Sequence, residues 1–216
     1  MALPGIARDD PDWYAAVMMN HVLGGGGQQS RLFYEVRDKR GLAYGVSTVL
    51  RTYKRAALLV ISTASANERV AEAIRVIRAE FVRLRTEGIT EQELTDAKTY
   101  LNGALALSLD SSGSIASLMQ ALQIDGLPSD HLTKRTALIG AVKLDDVRRV
   151  ARRLLRDEAL TTVVVGKPVG WGVHRVVSGA DGRRWFHGVV ARFSAGPVKF
   201  RGLRSYRAEV VPWLWF

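Results

Sequence analysis

Apolar side chains recur along this chain at two spacings, and the spacing changes where the element type should change. Val70, Ala73, Ile74, Ile77, Phe81 and Leu84 fall at helical intervals opposite Arg69, Glu72, Arg75 and Arg83, which predicts a long amphipathic helix. Ser65 and Glu68 have the spacing of a capping box for its start, and Gly88 is placed to end it. Thr90 and Glu93 form a second such box, with Ile89 and Leu94 at the two positions of a hydrophobic staple, so a further helix should run from 91 to about 109. A third, opening at Ser111 or Ser112, should bury Ile115, Leu118, Met119 and Leu122 and close at Gly126 and Pro128. Shorter helices are expected at about 129–138 and 145–156, the latter with Val147, Val150, Ala151 and Leu154 inward.

The first third of the chain reads differently. Asp10 followed by Pro11 suits an N-cap with proline at the first helical position, and the apolar positions Trp13, Val17 and Leu23 run into four consecutive glycines. Ser30 can cap a short second helix in which Leu32, Phe33 and Val36 share a face, with Gly41 stopping it in the left-handed conformation. Residues 42–52 and 56–63 are rich in Val, Thr, Leu and Ile around Tyr53-Lys54-Arg55, the pattern of a β-hairpin. Residues 160–165 are apolar on both faces and suit a central strand. Strands that neighbour one another and helices that come in blocks predict an α+β fold, a mostly antiparallel sheet packed by helices, rather than a doubly wound parallel sheet.

Composition narrows the classes. The chain has 216 residues, 47% of them hydrophobic, enough to bury a core. No apolar run reaches the roughly 18–20 residues of a membrane-spanning helix, and residues 1–6 lack the basic and apolar regions of a secretory signal. There are no cysteines, which excludes disulfides and thiol chemistry and leaves the compartment undecided. The net charge of +10 is uneven: residues 171–216 hold eight Arg/Lys against Asp181 and Glu209, leaving an ordinary +4 for the first 170. That segment also carries four of the five tryptophans, and Asp181-Gly182 can turn a hairpin within it. The chain therefore divides into a domain over 1–170 and a basic, Trp-rich tail over 171–216, irregular or β-rich.

Gly24-Gly25-Gly26-Gly27, Ser30-Arg31-Leu32-Phe33, Glu35-Val36-Arg37 and Gly41-Leu42-Ala43-Tyr44-Gly45-Val46, in that order, resemble the start of the C-terminal half of pitrilysin-family metallopeptidases. The family includes the insulin-degrading enzymes and the mitochondrial processing peptidases, with bacterial relatives. The likeness extends more weakly from Leu3-Pro4-Gly5-Ile6 to Val163-Val164-Val165-Gly166-Lys167-Pro168 and does not reach the tail.

The resemblance implies a half-clamshell α+β domain that closes on a homologous N-terminal half carrying H-x-x-E-H. In that motif two imidazoles one turn apart hold zinc, and the glutamate between them takes a proton from the metal-bound water. The four histidines here, His21, His131, His174 and His187, include no pair four residues apart. No zinc or other cofactor is therefore expected on this chain, and zinc is expected on the partner half. The resemblance also implies that Arg37 and Tyr44 reach across the cleft toward the bound peptide. The arginine's planar fork suits a carbonyl or carboxylate, and the phenol suits an oxyanion. Without the family, the same two residues read as a helix-surface arginine and a core tyrosine.

The glycine stretch Gly24, Gly25, Gly26 and Gly27 has two readings, a backbone surface that approaches the substrate peptide or a tight connection between helices. A nucleotide cradle is disfavoured, since a helix precedes it and Gln28-Gln29 follows. Of the edge strand that the family carries before Pro4-Gly5-Ile6 only Met1-Ala2-Leu3 remain, so the 1–170 domain is expected to lack its first strand. The expected function is a non-catalytic half or fragment of a zinc endopeptidase, inactive alone, whose partners are the zinc-bearing half and a peptide substrate. The cleft face would also support self-association. The alternative is a basic module contacting nucleic acid through the Arg/Trp-rich tail. A third reading of the tail is sequence foreign to the domain.

Overall fold

The computed structural model describes residues 1–128 and 130–169 together with the backbone of Gly188–Arg192. Five strands form one sheet in which every pairing is antiparallel, in the order β2-β3-β1-β4-β5. They are β1 (Ala2–Pro4), β2 (Ala43–Tyr53), β3 (Ala56–Ser65), β4 (Thr161–Val165) and β5 (Gly188–Arg192). Six α-helices accompany them: α1 (Trp13–Asn20), α2 (Val70–Thr86), α3 (Glu91–Leu107), α4 (Ser112–Ile124), α5 (His131–Ala141) and α6 (Leu144–Leu154). The α+β class and the antiparallel sheet are as the sequence predicts. The basic tail, apart from the β5 backbone, lies outside the described residues, as do His174 and His187.

The core joins one face of the sheet to the helices. Leu3, Leu59 and Ile61 from the strands meet Met18, Met19, Leu23, Ile77, Phe81, Leu84 and Val150, all nearly inaccessible to solvent. The predicted inner stripe of α2 is buried at Ala73, Ile74, Ile77, Phe81 and Leu84, and that of α6 at Val147, Val150, Ala151 and Leu154. Two salt-bridged arginines tie α6 to the start of α1: Arg149 Nη2 donates to Asp12 Oδ1 at 2.6 Å and Arg153 Nη2 to Asp10 Oδ2 at 2.7 Å.

Local signals succeed where the chain has no competing partner. Thr90 Oγ1 accepts from the Glu93 N–H and the Glu93 carboxylate accepts from the Thr90 N–H, so the second capping box is complete, and Ile89 and Leu94 are buried beside it. Ser111 caps α4 by accepting from Ser114 N–H. Asp10 Oδ1 accepts from Asp12 N–H as an N-cap would, although the regular helix begins only at Trp13. Gly41 and Gly88 take φ of +59° and +78°, the left-handed region in which a Cβ is costly.

Other expectations are corrected. Ser65 and Glu68 form no capping box: Ser65 is the last residue of β3 and its hydroxyl donates to Leu42 O across the hairpin, so tertiary pairing has claimed it. Ser30 Oγ donates backwards to Gly27 O instead of capping the next helix. The hairpin turn shortens to Lys54-Arg55 because Tyr53 pairs with Ala56. Helix α4 buries only Leu122, while Ile115 and Met119 are about two-fifths exposed. Strand β4 lies inside the sheet, but Val163 and Val165 face outward and are more than half exposed, so its two apolar faces are not both covered. Ala2–Pro4 sit between β3 and β4 rather than at an edge, with Leu3 opposite Leu59.

Candidate functional site

The segment between α1 and β2 is wound more widely than an α-helix. Residues His21–Gly25 and Phe33–Asp38 are π-helical, a geometry that occurs as short insertions and frequently at functional sites. The first π-segment owes its glycine to packing. A Cβ at Gly24 would meet Thr48 Cγ2 at 2.6 Å and the Thr48 backbone nitrogen at 3.0 Å, so the segment lies flush against β2. At Gly25 and Gly26 the nearest atoms belong to Asn20 and His21, and Gly27 takes φ +60° with open space around it. The stretch is thus a closely packed connection for its first residue and an exposed turn at its last. Nothing in these contacts joins it to Arg37 or Tyr44.

The second π-segment carries Arg37. Its buried side is Glu35 and Val36, with Leu32 preceding, and Leu42 N–H donates to Val36 O as the chain turns into β2. Phe33 does not join that buried face fully. Its ring lies under the Arg37 guanidinium, 4.6 Å from centroid to Cζ. Tyr44, at the start of β2, also lies near it, with its ring centroid 5.7 Å from the same carbon. Tyr44 is 88% exposed, which removes the reading of it as a core tyrosine. The Arg37 side chain makes no hydrogen bond or ion pair with any described residue, while its backbone carbonyl accepts from Gly41 N–H at 2.8 Å. The structure therefore brings Arg37 and Tyr44 together, half-sheltered by aromatic faces, with the guanidinium N–H groups unpartnered. The sequence pattern places Phe33 on one helix face with Leu32 and Val36. The spacing of four between Phe33 and Arg37 was the signal for its second role.

Charged residues beneath the site hold the π-segment. Glu35 is buried and pairs with Arg40 and with Lys39 Nζ, the latter at 3.3 Å. The Arg40 guanidinium, ahead of the opposing effect of burial, keeps its carboxyl below the usual range. Arg31 Nε and Nη2 donate to both Glu93 oxygens at 2.6 and 2.7 Å, and Nη2 also reaches Gly88 O at 3.1 Å. This fork bolts the start of the second π-segment to the first turn of α3.

Glu80 of α2 lies in the same neighbourhood, buried, with Arg83 Nη1 3.6 Å away and Oε2 without a partner among the described residues. Burial, reinforced by the Glu35 charge and opposed by Arg83, raises its carboxyl. A raised folded-state value favours folding at pH below the unfolded value and loses that contribution as pH rises through the folded one. Glu80→Gln should accordingly raise the urea midpoint at pH 8, with the gain shrinking toward pH 4. Equal shifts at both pH values would contradict a strained carboxylate.

Neither described histidine is arranged for a metal. His131 Nε2 accepts from Tyr14 Oη at 2.8 Å and from Arg8 Nη2 at 3.2 Å, so this nitrogen carries no proton; burial, then the Arg8 charge, lowers the imidazole's pKa. His21 packs on the Tyr100 ring at 4.7 Å. Among the described residues no group of three His, Cys, Asp or Glu could hold a metal ion. The donors present thus do not fit a zinc centre.

The family described as the peptidase M16 inactive domain matches residues 1–101. An uncharacterized zinc protease of Streptomyces coelicolor is 32% identical over 164 residues, 76% of this chain and 36% of that protein. The mitochondrial-processing peptidase subunit alpha of Pongo abelii is 26% identical over 191 residues, 81% of this chain and 35% of its own length. Among solved structures, a peptidase M16 inactive domain from Pseudomonas fluorescens superposes with a TM-score of 0.64 at 30% identity, over 70% of this chain and 36% of that one. The chain spans just over a third of the length of these relatives. Over residues 1–101, just under half of its length, and in the fold of its described residues, the chain is similar to the peptidase M16 inactive domain.

Proposed function

We propose that this domain supplies substrate contacts to a zinc-bearing partner half and does not itself hydrolyse peptides. The observation that carries the reading is the Arg37 guanidinium, within 4.6 Å of the Phe33 ring and 5.7 Å of the Tyr44 ring and left without a hydrogen-bond partner among the described residues. A cation fixed by ring faces loses little side-chain freedom on binding, and its planar fork can donate two parallel bonds to a peptide carbonyl or carboxylate. The exposed Tyr44 phenol is free to donate to the carbonyl oxygen that gains charge when the peptide bond is attacked. The partner half would hold the zinc, which when bound would supply the activated water. No residue described here takes part in that step.

The purified chain should show no chelator-sensitive hydrolysis of fluorogenic peptides. Combined with its zinc-bearing half, Arg37→Ala should lower kcat/KM by about 10- to 100-fold, the value of a charge-assisted hydrogen bond or two, with bound zinc unchanged. Tyr44→Phe should lower kcat more than it raises KM, because its bond forms with the developing charge. Metal-dependent hydrolysis by the chain alone, or full turnover by both variants, would refute the reading. Parallel loss of zinc and activity would indicate a disturbed assembly instead of a lost contact.

A further inference from the structure

Among the described residues strand β2 is at the edge of the sheet, paired only with β3. It is 11 residues long, and from Gly45 to Tyr53 the ladder runs without interruption. Alternate backbone N–H and C=O groups of such a strand point away from the sheet. Among the described residues no group outside β3 hydrogen-bonds to the backbone of 43–53. Edge strands are usually blunted by prolines, several charges or mid-strand bulges. This one has no proline and a single charge, Arg51, and its one irregularity is at Ala43/Gly45, beside Tyr44.

The hairpin that forms this edge carries charge of one sign. Between residues 39 and 67 there are five basic side chains, Lys39, Arg40, Arg51, Lys54 and Arg55, and no acidic one. Lys39 and Arg40 are taken up by Glu35. Arg51, Lys54 and Arg55 are exposed and, like Arg37, pair with nothing among the described residues. A second copy of this chain docked edge to edge would bring like charges together. A strand carrying carboxylates would be attracted.

We propose that the free edge of β2 receives an extended, acidic peptide segment as an added strand, with Arg37 reading a carboxylate near one end and Arg51 a second near the other. Tyr44 and Arg51 are seven positions apart on the strand, but the irregularity at Ala43/Gly45 takes up one of them and leaves both on the exposed face, so on a regular added strand the carboxylates should be six residues apart, roughly 20 Å. Backbone pairing supplies affinity and the fixed cations select the side chains. This deepens the peptide-contact reading of Arg37 and Tyr44 and rests on it, by naming the class of peptide and the surface it lies on.

The test uses the full chain and labelled nonapeptides of alternating Val and Thr with two Glu six residues apart, so that both project to the same face, read by fluorescence anisotropy at low salt. Exchanging both Glu for Gln should weaken binding by about 10-fold or more, as should Arg51→Glu, whose exposed position should leave the thermal midpoint unchanged. N-methylation of one alternate set of peptide amides should abolish binding and methylation of the other set should not, because only one set faces the edge. Equal binding by both methylated sets, or by the Gln peptide, would overturn the proposal. So would tighter binding of single-stranded DNA that displaces the peptide, or self-association that Arg51→Glu removes. If the methylation asymmetry is missing while Arg37→Ala still impairs turnover, only the added-strand proposal falls. If the asymmetry is present and turnover ignores Arg37, the transition-state contact falls instead.

Discussion

Arg31→Ala should cost the domain about 3 kcal/mol or more, the range seen when one member of a mostly buried ion pair is removed. The side chain is only 12% exposed, and its loss strips both carboxylate oxygens of Glu93 and the Gly88 carbonyl of their guanidinium donors. Glu93 would remain in place, needed for the α3 capping box and with its charge still sheltered. The effect should depend on pH. Burial alone would raise the Glu93 carboxyl, but Arg31 and the Thr90 N–H outweigh it and hold the group below its usual range. A depressed folded-state value contributes stability that is present above the unfolded value, about 4.3, and is lost as pH falls through the folded value. Urea unfolding of wild type and Arg31→Ala should therefore differ most at neutral pH and converge below about pH 4. Arg31→Lys should recover part of the loss, since it returns the charge without the two-pronged geometry. A difference independent of pH would mean that the arginine acts through its packed stem rather than through Glu93.

Gly24→Val should destabilise by about 3 kcal/mol, the upper range for overpacking a filled site. The added Cβ would fall 2.6 Å from Thr48 Cγ2 and 3.0 Å from the Thr48 nitrogen, and Thr48 is itself buried in a paired strand that cannot retreat without breaking register. By contrast Gly27→Ala meets no atom and should cost only about 1 kcal/mol, the penalty for a left-handed φ. The contrast separates the two readings of the glycine stretch. Both variants should be compared by denaturant midpoint and, with the zinc-bearing half, by turnover. If Gly27→Ala abolishes turnover at unchanged stability, the exposed end of the stretch contacts the peptide.

These two expectations concern the seating of the site rather than its chemistry. Arg37 is carried by a π-segment that Arg31 fastens to α3, that Glu35 fastens through Arg40, and that continues through Val36 and Leu42 into β2. The preceding π-segment lies flush on β2 through Gly24. Arg37 and Tyr44 thus sit on a braced frame, which is what a contact group needs to be positioned before a ligand arrives.

What the amino-acid sequence determined by itself was set by short-range chemistry. The inner stripes of α2 and α6, the Thr90–Glu93 box with its Ile89–Leu94 staple, the left-handed Gly41 and Gly88, and the β2–β3 hairpin are all legible, because each depends on residues a few positions apart. The family, and with it the interest of Arg37 and Tyr44, was legible from the motif run between Gly24 and Val46. Only the tertiary structure decided matters that depend on distant partners. Ser65 carries a capping signal but donates to Leu42 in the hairpin, since a strand partner fixes it before a helix can begin. Helix α4 has an apolar stripe, yet the described residues cover only Leu122 of it, because periodicity shows which face is apolar and not what packs on it. The placement of Phe33 under Arg37, the buried Glu80, the flush contact of Gly24 with Thr48 and the open edge of β2 arise from how the π-segments wind and how the strands are ordered. Spacing along the chain carries no information on strand order, since hydrogen-bonding capacity is the same at every strand and only assembly leaves one edge unpaired.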